Sequence, residues 1–241
     1  MPARPPLALP LLCLCGFVAL LAMVVAPWPP LDRFDVAVSD AFRAYGTSRP
    51  GLVAALRVAT DIAATLPFLF AGLLATVLLA VRREPRAAAF CAAVTALVPT
   101  LWSLMHLLLL APRPTDAFVV IHSNGFPSGH TTNATAAGLT AVLLLWPRVG
   151  RVGRAVAVIA AVAVAAFVGG TRIALLAHWP ADVLGGWLLG CGVVPLLARA
   201  MHRWVRPSDP GSAGLSSAVG SPRRGSPPAP GSAGPALPES G

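Results

Sequence analysis

The chain has 241 residues, 56% of them hydrophobic and only 11% charged, with a mean hydropathy of +0.74. Soluble domains carry about a quarter charged residues, so this balance excludes an ordinary soluble class and points to a membrane protein. The net charge of +9 comes from arginine alone; the arginines stand beside apolar runs rather than along one basic stripe, so no nucleic acid partner is expected.

A helix needs roughly 20 mostly apolar residues to cross about 30 Å of hydrocarbon. By that measure the chain is all-α, a six-span transmembrane helical bundle occupying residues 1–204. Span one runs over about 7–28. It follows Arg4, as a signal peptide would, but it is long for one and no small-x-small cleavage site follows it. After it, Leu31, Phe34, Val38, Phe42 and Tyr45 recur at three- and four-residue steps, with Asp32, Arg33, Asp35, Asp40 and Arg43 between them. That pattern predicts an amphipathic helix lying in the membrane interface. Spans two to six are expected at about 63–81, 87–111, 131–146, 152–170 and 182–198. The segment 205–241, rich in Pro, Gly and Ser, is expected to be a disordered tail. Cys13, Cys15, Cys91 and Cys191 lie inside apolar runs without metal-site or disulfide spacing, and read as small hydrophobes.

Arginine placement sets the orientation. With the N-terminus inside, the cytoplasmic side receives Arg4, Arg82, Arg83, Arg86, Arg148, Arg151, Arg154, Arg199, Arg203 and Arg206. The outer side receives Arg33, Arg43, Arg49, Arg57, Arg113 and Arg172. This excess favours cytoplasmic N- and C-termini in a multi-pass cell-membrane protein.

That topology brings two distant loops to the outer face. One holds His106, Arg113, Asp116, His122, Ser128 and His130; the other holds Thr171, Arg172, His178 and Asp182. Ionisable residues at membrane depth are costly and usually functional. Arginine offers a planar fork of donors that matches phosphate oxygens. Ser128 stands where span four begins and is a candidate helix cap, Gly129 admits close approach to its amide, and the helix start presents free N–H groups to an anion. His178 and Asp182, four apart, share a helix face. A carboxylate on one imidazole nitrogen fixes the tautomer and leaves the other nitrogen free to attack, with His130 placed to protonate a leaving alkoxide. Taken singly, each residue has a plainer reading: an interfacial histidine, a snorkelling arginine, a helix cap. A zinc site from His122, His130, His178 and Asp182 is a further alternative, although these residues lack the short paired spacing of such sites.

Three stretches together resemble the type 2 phosphatidic acid phosphatase superfamily, which also includes the vanadium haloperoxidases. Its signature is Lys-x6-Arg-Pro, then Pro-Ser-Gly-His, then Ser-Arg-x5-His-x3-Asp. Here Pro127-Ser128-Gly129-His130 is complete, Thr171-Arg172-x5-His178-x3-Asp182 replaces serine by threonine, and Arg113-Pro114 is kept with His106 at the lysine position. The resemblance covers about 7–204 and implies the integral-membrane branch. It implies His178 as the nucleophile forming a phosphohistidine, Asp182 orienting it and His130 as general acid. Arg113, Arg172, Ser128, the Gly129 amide and His106 would bind phosphate, with no metal and no cofactor. The substrate implied is a lipid phosphomonoester or diphosphate, such as phosphatidate, phosphatidylglycerol phosphate or polyprenyl diphosphate. A phosphotransferase, or a member that binds lipid phosphate without turning it over, is the alternative. His106, with an unperturbed pKa of about 6.5, is expected to contact phosphate best at mildly acid pH.

Overall fold

The computed structural model describes residues 6–121 and 123–203. His122 and the tail from 205 to 241, expected to be disordered, lie outside the described residues. The described residues form eight α-helices and one 3-10 turn, with no strand among them. They are α1 (Ala8–Val25), α2 (Pro29–Thr47), α3 (Pro50–Thr60), the turn Asp61–Ala63, α4 (Thr65–Val81), α5 (Pro85–Leu108), α6 (Gly129–Leu145), α7 (Arg151–Ala174) and α8 (Pro180–Arg203). Proline marks several starts: Pro29, Pro50, Pro85 and Pro180 each open a helix, where the missing N–H has no intrahelical partner to lose.

Five stretches are long and apolar enough to cross a membrane: Ala8–Val25, Pro50–Val81, Pro85–Leu108, Arg151–Ala174 and Pro180–Met201. The expected span four, α6, falls short of that length. At 17 residues it rises about 25 Å, and it packs against α4, α5, α7 and α8. Its first turns bury Thr131, Thr132, Asn133 and Thr135. Thr132 and Thr135 return their hydroxyls to the carbonyls of Ser128 and Thr131 at 2.8 and 2.7 Å, which satisfies them without water.

Several boundaries differ from the sequence expectation for local reasons. The expected span to Ala111 ends at Leu108, because Ala111 and Arg113 each precede a proline and are pushed away from helical geometry. Span one ends at Val25 for the same reason: Ala26, before Pro27, is extended. Span two begins at Thr65, after extended Ala64, and a separate helix α3 precedes it. Around the bundle the outward side chains are apolar, among them Leu66, Leu74, Val81, Val152 and Ile159, the pattern of a surface facing lipid. α8 is the most enclosed of the long helices, with α1 laid against it.

The amphipathic segment is helical, as its periodicity predicts. The face it buries, however, is Asp35, Ser39 and Gly46, whereas Phe34 and Tyr45 are exposed. At the end of the bundle where α4 meets α5 and α6 meets α7, Glu84 pairs with Arg148. Arg82, Arg83, Arg86, Arg151 and Arg154 share these two connections.

Candidate active site

At the opposite end, the C-terminal ends of α5 and α7 meet the N-terminal ends of α6 and α8. The α5–α6 loop and the α7–α8 turn are laced together by backbone and side-chain bonds. Phe118 N–H donates to the Leu175 carbonyl at 3.0 Å, and Ser128 N–H to the Asp182 carbonyl at 2.9 Å. Trp179 Nε1 donates to the Pro112 carbonyl at 2.8 Å. The convergence of the two distant stretches, inferred from sequence, is thus built from directional bonds.

The Arg-x5-His-x3-Asp spacing has a local explanation. α7 ends in a Schellman turn: Ala177 N–H reaches the Arg172 carbonyl at 3.0 Å and Leu176 N–H reaches Ile173 at 2.9 Å. Leu176 takes the left-handed position usually given to glycine, with φ 53°, while its side chain is fully buried. Such a conformation costs about 1–2 kcal/mol and is held by the surrounding packing. Directly after it come His178, then Pro180 opening α8, then Asp182 in the first turn. Asp182 Oδ2 accepts from Trp179 N–H at 3.0 Å, a carboxylate capping its own helix start, and lies 3.2 Å from His178 Nδ1.

Arg113 Nη1 lies 2.9 Å from His178 Nε2 and 3.3 Å from Nδ1, so it stands against the ring rather than on one lone pair. A carboxylate only accepts, so Nδ1–H donates to Asp182 Oδ2. His178 is then the neutral tautomer with its lone pair on Nε2. It is 2% exposed, and burial first, then the Arg113 and Arg172 guanidiniums, hold it well below the ordinary histidine value.

The two arginines differ. Arg113 is saturated: Nε and Nη2 donate to the carbonyls of Ser123 and Asn124 at 2.7 and 2.8 Å, and Nη1 to the Ala177 carbonyl at 2.5 Å. Arg172 is 6% exposed, touches Thr60 Oγ1 at 3.5 Å and leaves Nε without a hydrogen bond among the described residues. A buried cationic donor without a partner costs several kcal/mol, and Arg172 lines a cavity of about 580 Å³. His106, Arg113, Gly129, His130 and His178 line it too.

Other expected roles are modified. Ser128 stands at the α6 start, but its side chain makes no capping bond; it is fully buried and accepts from Thr131 Oγ1 at 3.0 Å. Gly129 is demanded by packing as well as by any ligand, since a Cβ there would sit 3.0 Å from the Trp102 ring. His106 Nε2 lies 2.8 Å from the Pro127 carbonyl, a contact in which the ring nitrogen must donate, so His106 braces the turn before Gly129. Thr171 bonds Thr60 and Val168. Asp116 pairs with Arg43 at 3.1 Å. Among the described residues no group of three His, Cys, Asp or Glu side chains is arranged to hold a metal ion.

The sequence pattern described as the PAP2 superfamily matches residues 109–206. A crystal structure titled as the first transmembrane PAP2 type phosphatidylglycerolphosphate phosphatase, from Bacillus subtilis, has a TM-score of 0.69 to this chain at 23% identity. The similarity covers 82% of this chain and 98% of that one, and establishes a shared fold. No curated protein matches the chain.

The PAP2 segment is completed by residues before it, which sequence reasoning passed over. Thr60, 1% exposed, is the hydroxyl that Arg172 and Thr171 touch; nothing in its sequence surroundings signals this. Asp35 Oδ1 accepts from Ala181 N–H at 3.0 Å, capping the helix that carries Asp182. Here a signal was present, since an acid interrupts the apolar stripe between Leu31 and Val38. Within the segment, Gly125 was also passed over: a Cβ there would meet Asp182 Oδ2 at 2.9 Å.

Asp35 makes a stability prediction. Burial first, opposed by its bond from Ala181 and reinforced by Asp32, raises its carboxyl from 3.8 to about 6. The stability contributed by its protonated form is present below about pH 4 and lost as pH rises through about 6. Asp35→Asn keeps an acceptor for Ala181 and cannot ionise. Melting curves in detergent are expected to show Asp35→Asn at or above wild type at pH 7.5, with the advantage gone near pH 4. A wild type more stable than the variant at pH 7.5 would contradict this.

Proposed function

We propose that the chain is a six-span membrane enzyme that hydrolyses a lipid phosphomonoester or diphosphate through a phosphohistidine on His178, at the extracytoplasmic face. The observation that carries this reading is a buried imidazole, paired with a carboxylate, lining a cationic cavity beside a buried arginine with an unmet donor. A phosphate supplies what Arg172 lacks, and it competes for Arg113 Nη1, which frees the Nε2 lone pair. Nε2 then forms a bond to phosphorus as the ester P–O bond breaks, and His130 gives its proton to the leaving oxygen. Burial first, then the Arg172 and Arg113 guanidiniums, oppose a proton on His130, and the negative charge of the bound phosphate offsets them. Water next attacks the phosphohistidine, His130 takes its proton, and inorganic phosphate leaves. Asp182 keeps Nδ1 protonated at the start and stabilises the charged ring afterwards. Arg113, Arg172 and the Gly129 amide at the α6 start hold the phosphate oxygens, while Ser128 acts through the backbone of that turn.

A lipid substrate is supported by a second cavity of about 560 Å³ with apolar lining between α4, α5, α6 and α7, including Phe68, Gly72, Gly138 and Ala161. The 61–63 turn contributes Asp61 to the polar cavity and Ile62 and Ala63 to the apolar one, so head and tail compartments share a wall. The Bacillus subtilis neighbour, described as a phosphatidylglycerolphosphate phosphatase, supports the same class. The arginine-rich end opposite the site favours cytoplasmic termini.

The test is phosphate release by the purified protein in detergent, with chelator present, from phosphatidate, phosphatidylglycerol phosphate and polyprenyl diphosphate. Chelator-resistant, vanadate-sensitive release from at least one lipid is expected. Vanadate binding without turnover of any of them would mark a lipid-phosphate-binding protein instead. His106→Lys is expected to keep a donor for the Pro127 carbonyl and to extend activity toward alkaline pH; an unaltered pH profile would remove His106 from the phosphate contacts.

A further inference from the structure

Arg57 is a cation that the motif does not use. It lies on α3, is exposed, and lines the polar cavity, yet makes no ion pair or hydrogen bond among the described residues. Its place on the helix fixes its relation to the site. Thr60, three residues on and therefore on the same face, touches both Arg172 and Thr171. Arg57 thus stands about one helical turn, or about 5 Å of rise, from the side chain that meets the phosphate-facing arginine. Asp61 shares this wall and lies within Coulomb reach of Arg172, but Arg57, Arg113 and Arg172 leave the cavity cationic. At about 580 Å³ the cavity is the size of a whole-ligand pocket, far larger than one phosphate requires.

We propose that Arg57 forms a second anion subsite, next to the phosphate held by Arg113 and Arg172, for a lipid head group bearing two phosphates. The second anion is either the inner phosphate of a lipid diphosphate or the phosphodiester of phosphatidylglycerol phosphate. The planar fork of arginine suits either one. This subsite rests on the lipid phosphatase reading, and it assigns the substrate class within it.

The experiment compares wild type, Arg57→Gln and Arg57→Lys on phosphatidate, phosphatidylglycerol phosphate and polyprenyl diphosphate. Loss of one charge-assisted contact is expected to lower the preference for two-phosphate lipids over phosphatidate by about tenfold in kcat/KM. The loss should appear in KM, with lysine restoring part of it. A fall confined to polyprenyl diphosphate assigns the inner phosphate; one confined to phosphatidylglycerol phosphate assigns the phosphodiester. An unchanged preference ratio overturns the subsite. A second measurement separates this from the hydrolase reading: calorimetric affinity for methylenebisphosphonate and for orthophosphate. If wild type turns over no lipid, weaker bisphosphonate binding by Arg57→Gln, relative to orthophosphate, still supports the subsite. Equal affinities overturn it.

Discussion

His178→Ala is expected to lower kcat for phosphate release by at least about 10³-fold, the scale seen when a covalent nucleophile is removed. The reason is geometric: among the described residues no other imidazole lining the cavity is paired with a carboxylate, whereas His178 meets Asp182 at 3.2 Å. The substitution also leaves the buried Asp182 carboxylate beside an empty volume, so His178→Asn serves as a companion that keeps bulk near Asp182 while removing the ring. Melting temperature and vanadate binding report whether each variant is folded. With labelled lipid, wild type quenched in alkali should carry phosphate on histidine and neither variant should. Turnover retained by a folded His178→Ala would exclude the nucleophile assignment.

Asp182→Asn is expected to lower kcat by about 10³–10⁴-fold, with a smaller effect on KM, by analogy with loss of the orienting carboxylate in other histidine-dependent enzymes. Two bonds converge on Asp182 Oδ2, from His178 Nδ1 and from Trp179 N–H. An asparagine oxygen in the same place can accept both bonds, so the α8 cap and the tautomer are kept, but a neutral amide carries no charge to stabilise the imidazolium formed as Nε2 bonds phosphorus. A variant that folds and retains kcat within about tenfold would show that the Asp182 charge is not what the reaction needs.

The membrane class and most helices were legible in the chain because hydrocarbon thickness and helix period act on contiguous residues. The exceptions are equally physical. The expected end of a span at Ala111 overlooked two prolines, and α6, expected as a full span, has 17 residues with polar threonines and Asn133 in its first turns. The candidate site was legible for a different reason: Pro127–His130 and Arg172–Asp182 are each one short continuous stretch of chain. The spacing from Arg172 to Asp182 is the length of a helix stop, a short turn and a new helix start.

What the sequence determined by itself, therefore, is everything written into a single turn or a single span: the apolar helices, the order of the motif residues and the pairing of His178 with Asp182. Tertiary structure alone decided which donors remain unmet and which residues complete the cavity. Thr60 meets Thr171 across 111 positions and Asp35 meets Ala181 across 146, while Arg113 is saturated by carbonyls from two loops and Arg172 is not. Hydrogen bonds are short-ranged and directional, so partners that far apart along the chain become visible only once packing has brought them together.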